Sequence, residues 1–420
     1  MTIAVPTDQA PSPAPAPTTG SIQRIPRPAR LSIYLVGGLL IMSLARAVTE
    51  ADQLTGAGMF RSALLLSLPV ALAGLGGLWA ERAGVINIGL EGMMVLGTWF
   101  GAYGVLTWGP WQGVAFGIVG GVVGGLLHGL ATVTFGVDHI VSGVAINLLG
   151  VGLTDFLTTV TWEGATRDSP QFSGSTGSVN LLPFAGDFLR EQADADRFLV
   201  SDVASFLIGV TQDIPWIIVL GIALFPLTWF ILWRTSLGLR LRSVGEDPEA
   251  ADSLGVPVYR MKYIALAVSG GLAGLGGVIL AFLFSSQFSS GQTGGRGFIG
   301  LAAMIFGNWQ PGALLAGAGL FGFMDAMQAQ VDATSHALLV VAALLFAVIA
   351  IRNAVLQRWI SAGVMALAAL GSWRWYTATD ALPREFIPYF PHIATLLVLV
   401  FASQRLRPPA AVGKTFRREG

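Results

Sequence analysis

The stretch WRTSLGLRLRSVGEDPEAADSLGVPVYRMK, residues 233–262, decides how this chain is arranged. It is rich in charge, whereas the sequence on either side is apolar over lengths that cross a bilayer. Since charged side chains are costly within a membrane, this stretch must lie in water between two membrane-buried blocks. Its charged residues are Arg234, Arg240, Arg242, Glu246, Asp247, Glu249, Asp252, Arg260 and Lys262.

Within this stretch the residues after Glu246 are typical of a helix start. Asp247 can cap a helix, Pro248 suits the first helical position, and Glu249 is favourable near the positive N-terminal end. Gly255 and Pro257 then end the helix. The pattern predicts a short helix outside the membrane, and the alternative is an ordinary solvated loop with local capping.

Composition supports a membrane protein. Charged residues are 11% of the chain, against about 25% in soluble proteins. Hydrophobic residues are 53%, and the mean hydropathy is +0.67. The formal net charge of zero is not typical of nucleic-acid binding. The chain has no cysteine, which excludes disulfides and thiolate metal sites, and its four histidines lie far apart, so we expect no metal site.

The apolar runs predict an all-α polytopic membrane protein with about 10 to 12 transmembrane helices. One run, 297–308, is too short to span a bilayer and suggests half of a broken or re-entrant helix. The predicted crossings are 31–48, 58–80, 84–107, 111–134, 138–160, 213–233, 259–284, 297–308, 312–331, 337–351, 358–376 and 388–404.

These crossings divide the chain into one membrane domain, 31–404, with a tail at each end. Residues 1–30 are rich in proline and predict a disordered tail, and residues 405–420 form a basic tail. The positive-inside rule places both tails and the 234–258 connection in the cytoplasm. Residues 161–212 then form a polar loop on the opposite side of the membrane.

Glycines are spaced for helix packing in one apolar run. Gly117, Gly121 and Gly125 recur every four residues and form one smooth stripe on a helix. The same run opens with Trp-Gln-Gly-Val-Ala at 111–115, which is echoed by Trp-Gln-Pro-Gly-Ala at 309–313. The echo predicts an inverted repeat, and chance similarity between two glycine-rich segments is the alternative.

The run ERAGVINIGLEGMM, residues 81–94, holds the strongest candidates for a functional site. Asn87 and Glu91 stand one helical turn apart, and an ionisable residue within a span usually faces a cavity or a partner. Three glycines favour a break in the helix here. The alternative is that Glu81, Arg82 and Glu91 cap a helix near the surface and pair with each other. The three glycines are Gly84, Gly89 and Gly92.

Two isolated amides in apolar segments, Asn147 and Asn308, are further candidates for a transport pathway, together with Asp155 and Asp325. The alternative is that each is a buried polar side chain bonded to a neighbouring helix. No paired carboxylates, histidine cluster or nucleophile motif predicts an enzyme. The segment Gly413-Lys414-Thr415 resembles the end of a phosphate-binding loop, but Pro408 stands where that loop needs its first glycine.

Three segments carry a resemblance to a known family. GLRLRSVGEDPEAA at 238–251 resembles the cytoplasmic coupling loop of binding-protein-dependent ABC transporter permeases that serve branched-chain amino acids, ribose-type sugars and nucleosides. ERAGVINIGLEGMM at 81–94 resembles a signature of the nucleoside-type permeases, and ATLLVLVFASQRLRPPAAVGK at 394–414 resembles their closing segment. The resemblance implies that the coupling loop docks on an ATPase subunit. The implied coupling residues are Gly245, Glu246, Pro248, Glu249, Ala250, Ala251 and Gly255.

The resemblance implies a permease subunit of an ATP-driven importer in a bacterial inner membrane, which forms half of a pathway for a small polar solute. Nucleosides are the first expectation, with simple sugars or branched-chain amino acids as alternatives. The implied partners are an ABC ATPase that binds ATP and Mg, a second permease and an extracytoplasmic solute-binding lipoprotein. The chain itself then needs no cofactor. An ion-coupled secondary transporter or a membrane-embedded enzyme is the rival from another class.

Overall fold

The computed structural model describes residues 27–162, 167–173, 175–328, 332–390 and 406–417. These residues are helical almost throughout, and the predicted all-α polytopic class is confirmed. Of the predicted N-terminal tail, residues 1–26 lie outside the described residues, as does most of the predicted crossing at 388–404.

Among the described residues, six helices are long and apolar enough to cross a membrane, judged by length and composition. Four shorter apolar helices accompany them. The helices of the first half are α1 (Arg27–Thr49), α2 (Ala57–Arg82), α3 (Leu90–Trp108), α4 (Pro110–Gly129), α5 (His139–Thr161), α6 (Gly186–Asp194) and α7 (Val200–Thr211). Those of the second half are α8 (Trp216–Arg234), α9 (Ser236–Glu246), α10 (Pro248–Ser253), α11 (Val258–Leu280), α12 (Arg296–Phe306), α13 (Pro311–Met327), α14 (Asp332–Val355) and α15 (Trp359–Ala378).

Several boundaries differ from the predicted crossings. The helix expected over 84–107 begins only at Leu90, because the preceding residues are unwound. By contrast, the run at 297–308 forms the short helix α12, which is too short to span, as the sequence predicted. Residues 27–30 of the predicted tail are helical, as the first described residues of α1. Both α4 and α11 continue into one π-helical turn, Leu130–Thr134 and Ala281–Ser285.

Two three-helix units repeat with inverted orientation. In each unit a long buried helix (α2 or α11) is followed by an interruption, then by α3 or α12, and then by α4 or α13. α2 packs on α13, and α11 packs on α4, so the units exchange their third helices. The echoed Trp-Gln segments at 111–115 and 309–313 lie where α4 and α13 begin.

The contacts show that α4 and α13 run in opposite directions. Along α2, Ser67 lies against Gly322 and Gly74 lies against Leu314, so α2 and α13 are antiparallel. Along the same helix, Gly76 lies against Ser269 and Pro69 lies against Gly276, so α2 and α11 are antiparallel as well. α11 is in turn antiparallel to α4 along their glycine contacts. This is the geometry of an inverted repeat.

The predicted glycine stripe of α4 lies in the contact with α11. A Cβ atom added to Gly121 would overlap the carbonyl oxygen of Gly270, and one added to Gly125 would overlap the carbonyl oxygen of Leu266. Gly117 meets the side chain of Val278 in the same way. Glycine is needed here because the two helix backbones approach more closely than any side chain permits.

The bundle has two ends, which we name from what they carry. The ribbon end carries α6, α7 and a two-stranded antiparallel ribbon, β1 (Ser178–Val179) and β2 (Ile214–Pro215). The α10 end carries α9 and α10 between α8 and α11. α7 lies within the segment 161–212 that was expected to form a polar loop, and its Gly209 packs on the start of α2.

Candidate functional site

The interruption between α2 and α3, residues 83–89, brings several of the predicted site residues together. Gly84 adopts a φ of +82°, a left-handed conformation that favours glycine, and it ends α2. Unwound backbone at membrane depth is tolerated only where its polar groups find partners within the protein. The partners of this segment therefore show what holds the site in place.

Two histidines hold the peptide groups of Ile86. The Ile86 N–H donates to Nδ1 of His139 (3.2 Å), and the Ile86 carbonyl lies 3.0 Å from Nε2 of His128. Because a carbonyl oxygen only accepts, the proton of His128 lies on Nε2, and Nδ1 accepts from the hydroxyl of Ser142 at 2.8 Å. These histidines were not predicted as site residues, because they lie 42 and 53 residues from Ile86 in the chain.

Asn147 of α5 caps the N-terminus of α3. Its Oδ1 accepts from the Gly92 N–H (2.8 Å), and its Nδ2 donates to the Ile88 carbonyl (3.1 Å). The side chain thus satisfies one donor and one acceptor that the interruption leaves open. These contacts are those of the alternative given for Asn147, a buried polar side chain bonded to a neighbouring element.

Replacing Asn147 by leucine should destabilise the interruption. Two buried backbone groups would lose their partner, and each such loss costs about 1–3 kcal/mol. We expect the thermal unfolding midpoint of the purified protein in detergent to fall by several degrees. Leu148→Ala is the control, because that neighbouring side chain is 72% exposed. Equal midpoints for the two variants would contradict the capping role.

Asn87 lies fully buried between the two repeat units. Its Nδ2 donates to Oγ of Ser269 on α11 (2.9 Å) and lies 3.4 Å from the sulfur of Met93. Its Oδ1 is buried and has no hydrogen-bond partner among the described residues. Asn87 therefore ties the interruption to α11 and still offers one free acceptor.

Glu91, in the first turn of α3, binds the N-terminus of α12 from the opposite repeat unit. Its Oε1 accepts from the Thr293 hydroxyl (2.6 Å) and the Gly295 N–H (2.8 Å), and its Oε2 accepts from the Gly297 N–H (2.7 Å). A Cβ atom on Gly297 would lie 2.6 Å from the backbone of Glu91, so the two half-helices are in direct contact.

The electrostatics of this contact favour a carboxylate. The N-termini of α3 and α12 both meet Glu91, and each helix N-terminus carries a partial positive charge. Arg296, which lies between Gly295 and Gly297, binds Asp325 of α13 through a short ion pair (2.5 Å) that is largely buried. Glu91 therefore joins α3 to α12. The alternative from the sequence, in which Glu91 pairs with Glu81 and Arg82, is not what the structure has.

Glu81 and Arg82 instead hold the turn after α12. Oε2 of Glu81 accepts from the Trp309 indole N–H at 2.6 Å, and Arg82 donates to the Trp309 carbonyl at 2.8 Å.

Asn308 lies in the same turn, and its Oδ1 accepts from the Arg407 N–H at 2.9 Å. Asn308 therefore lies at the α10 end of the bundle, apart from Asn87 and Glu91.

The helix expected near the middle of the chain is α10, and its predicted cap is confirmed. The Asp247 carboxylate accepts from the Ala250 N–H at 3.0 Å, Pro248 opens the helix, and Gly255 follows it with a φ of +80°. Glu249 and Ala250 are exposed. α9, which Thr235 caps, was not predicted from the sequence.

α9 ends against the interruption. A Cβ atom on Gly245 would overlap the Arg82 carbonyl oxygen and lie 3.2 Å from the Gly84 nitrogen. Ala251 of α10 is buried with Val244 in a small apolar cluster at the start of α11. α9 is thereby packed directly on the unwound segment, and α10 packs on α9 and on the start of α11. Among the described residues, no group of three or more His, Cys, Asp or Glu side chains could hold a metal ion.

The chain is similar to several known permeases. It is 31% identical over 371 residues to a putative glucose ABC transporter permease of Haloferax volcanii, covering 86% of this chain and 98% of the relative. It is 35% identical over 274 residues to a guanosine ABC transporter permease of Bacillus subtilis, covering 63% and 79%. A nucleoside ABC transporter permease of Lactococcus lactis is 35% identical over 276 residues, covering 63% and 80%. No solved structure matches this chain.

The family model described as the permease component of the branched-chain amino acid transport system matches residues 59–349. That range contains both repeat units, the two interruptions, α9 and α10. It also covers most of the chain. Together with the six apolar helices, this match shows that the chain is a multi-pass membrane protein and a transport component rather than an enzyme, and that it belongs to this family of ABC transporter permeases.

Proposed function

We propose that this chain is the membrane-spanning permease subunit of an ATP-driven importer and supplies half of its translocation pathway. The observation that carries the proposal is the position of α10, an exposed helix outside the apolar bundle. Through Gly245 at the end of α9, this helix pair contacts Arg82 at the end of α2 and Gly84 in the interruption. A partner that moves α10 therefore moves the segment that leads to Asn87 and Glu91.

The α10 end lies in the cytoplasm, with both chain termini on that side. Basic residues from distant parts of the chain collect at this end, which is the pattern of cytoplasmic surfaces in the bacterial inner membrane. α14 starts near α1 at the ribbon end, so its far end belongs to the α10 end as well. The basic residues are Arg234, Arg240, Arg242, Arg352, Arg358, Lys414 and Arg417.

The transported solute passes beside the two half-helix N-termini. Glu91 fastens α3 to α12 in the conformation seen here, and ATP-driven movement of α10 shifts the population towards a conformation with different access. Asn87 and Asn147 lie in the same region, and Oδ1 of Asn87 is an acceptor without a hydrogen-bond partner among the described residues. Asn308 would act at the cytoplasmic mouth.

Nucleosides are the proposed cargo, with simple sugars as the alternative. Two relatives at 35% identity carry nucleoside or guanosine permease names, and a relative that covers more of the chain carries a glucose permease name. The polar groups near the half-helices suit a neutral, hydrogen-bonding solute of either kind. A competition experiment separates them, with labelled guanosine uptake challenged by unlabelled nucleosides, glucose or leucine.

The proposed assembly contains further subunits. A partner ATPase binds ATP and Mg and receives α10, a second permease completes the pathway, and an extracytoplasmic lipoprotein delivers the solute. The permease chain needs no cofactor of its own. Related permeases occur in pairs with similar sequences, since a second guanosine permease of Bacillus subtilis is 24% identical to this chain, which supports a heterodimer.

Transport by the reconstituted complex tests the proposal. Proteoliposomes that contain both permeases, the ATPase and the binding protein should take up solute only when ATP is present on the α10 side. Omitting the ATPase should stop uptake even under a proton or sodium gradient. Uptake driven by the ion gradient alone would overturn the proposal in favour of a secondary transporter.

Replacing Ala250 by arginine should uncouple ATP hydrolysis from uptake. Ala250 is exposed in the first turn of α10, so the larger charged side chain fits the free permease and disturbs only the docked surface. We expect normal membrane insertion, continued hydrolysis and strongly reduced uptake. Ser361→Arg is the matched control, an exposed first-turn position of α15 at the same end. Normal uptake by the Ala250 variant would remove the docking role.

A further inference from the structure

The C-terminal segment 407–416, which we call the strap, crosses the α10 end and touches three separate parts of the machinery. It bonds to the turn between α12 and α13, to the end of α9 and to the interruption before α3. Pro409 and Ala411 are buried although the segment has no regular secondary structure. A terminal segment held in this way is more than a loose tail.

Each contact is made through the backbone. The Arg407 N–H donates to Oδ1 of Asn308 (2.9 Å), the Ala411 N–H to the Gly245 carbonyl (2.9 Å), and the Gly413 N–H to the Gly84 carbonyl (3.1 Å). Through its main-chain N–H groups, one short stretch therefore binds the end of α9, the interruption that follows α2 and the turn that follows α12.

The close approach requires glycine in the strap. Gly413 has a φ of +79°, and a Cβ atom there would lie 2.9 Å from the side chain of Ile86. From the other side, a Cβ on Gly84 would lie 3.3 Å from the Ala411 carbonyl oxygen. The strap thus reaches the residue whose peptide groups are held by the two histidines.

The far end of the strap is anchored to α11. The ring of Phe416 lies 5.6 Å from that of Tyr259 and packs with Val244 of α9, Ala251 of α10 and Met261. The Glu246 carboxylate accepts from the Ala410 N–H at 3.1 Å. The strap is therefore fixed to the same α9–α10 unit that the ATPase would move.

We infer that the strap positions the interruption, so that the α9–α10 unit, residues 84–86 and the Asn308 turn move together when α10 is pushed. This inference rests on the proposed ATP-driven function. The direct contact between Gly245 and Arg82 transmits movement of α9 towards the interruption. The hydrogen bonds of the strap also transmit movement of α9 away from it, because they resist separation. Residues 407–416 are thus a positioning segment for the transport cycle.

A pair of truncations tests the inference in the full reconstituted complex. Removing residues 406–420 should lower uptake per ATP hydrolysed by at least about tenfold, within the range of allosteric coupling factors. Complex assembly and ATP hydrolysis should stay near wild type. Removing only residues 418–420 is the control and should change neither. Gly413→Val should act like the long truncation, whereas Thr415→Val, at an exposed position, should not.

A reversible cross-link tests joint movement separately. The chain has no native cysteine, so Tyr259→Cys with Phe416→Cys introduces a single pair that a short bis-methanethiosulfonate reagent can join. Both substitutions remove ring contacts of the strap, so each measurement is compared with the same double variant before the reagent is added. Since the strap is expected to move with the start of α11 and the α9–α10 unit, cross-linking should not lower uptake below that reference. Uptake that stops on cross-linking and returns with reductant would show that the strap must detach, which overturns the inference.

The other outcomes are equally decisive. Unchanged coupling in the long truncation would show that the strap is dispensable. Loss of the complex itself would show that the strap is only structural. Either result rejects the inference. A wild-type complex that shows no ATP-driven uptake would reject the proposed function, and the inference with it. An active wild type with unaffected strap variants rejects the strap alone.

Discussion

Glu91→Gln should reduce uptake by at least about tenfold, which corresponds to about 1.4 kcal/mol, while leaving the permease folded and bound to its ATPase. The Glu91 carboxylate accepts three hydrogen bonds, from Thr293, Gly295 and Gly297. Hydrogen bonds to a charged group contribute about 1.5–3 kcal/mol each. Glutamine has one oxygen, so its NH₂ group must face at least one of these donors, and the negative charge between the two helix N-termini is lost.

The size of this effect follows from where the carboxylate lies. It joins half-helices from opposite repeat units, so a weaker bond changes the balance between conformations rather than the stability of one helix. Glu91→Asp keeps the charge and shortens the reach, and it should give an intermediate rate. Glu191→Gln, at an exposed position on α6, is the control. Loss of assembly with the ATPase in the Glu91 variant would instead indicate a purely structural cap.

Gly121→Leu should prevent most of the protein from folding. A Cβ atom at Gly121 would overlap the Gly270 carbonyl oxygen and lie 2.8 Å from the Cα of Gly274. The clash is with backbone, so it can be relieved only by separating α4 from α11. Overpacking a filled interior already costs about 1–3 kcal/mol when side chains can adjust, and here they cannot.

Size-exclusion chromatography of detergent-solubilised protein measures this effect as the monodisperse fraction. Gly371→Leu on α15 is the matched control, because nothing lies within 4 Å of a Cβ added there. The control should elute like the wild type, whereas the Gly121 variant should aggregate or be lost during expression. A monodisperse Gly121 variant would show that α4 and α11 are not held at this contact.

Local chemistry made much of the architecture predictable. Asp247 and Pro248 are enough to start α10, because a cap and a fixed φ act within one turn. The break near Gly84 and the short α12 could be read from glycines and from a run too short to span. The stripe of Gly117, Gly121 and Gly125 indicated close packing, although not against which helix.

The amino-acid sequence by itself determined the membrane class, the polar helix outside the bundle, the site of the interruption and the family. Each of these depends on signals that are local in the chain, such as an apolar run, a cap, a group of glycines or a family motif. Only the tertiary structure decided that Glu91 binds Gly295 and Gly297, and that His128 and His139 hold Ile86. Those partners are distant in the chain, and they meet only because backbone groups freed by the unwound segment must find donors and acceptors where water is absent.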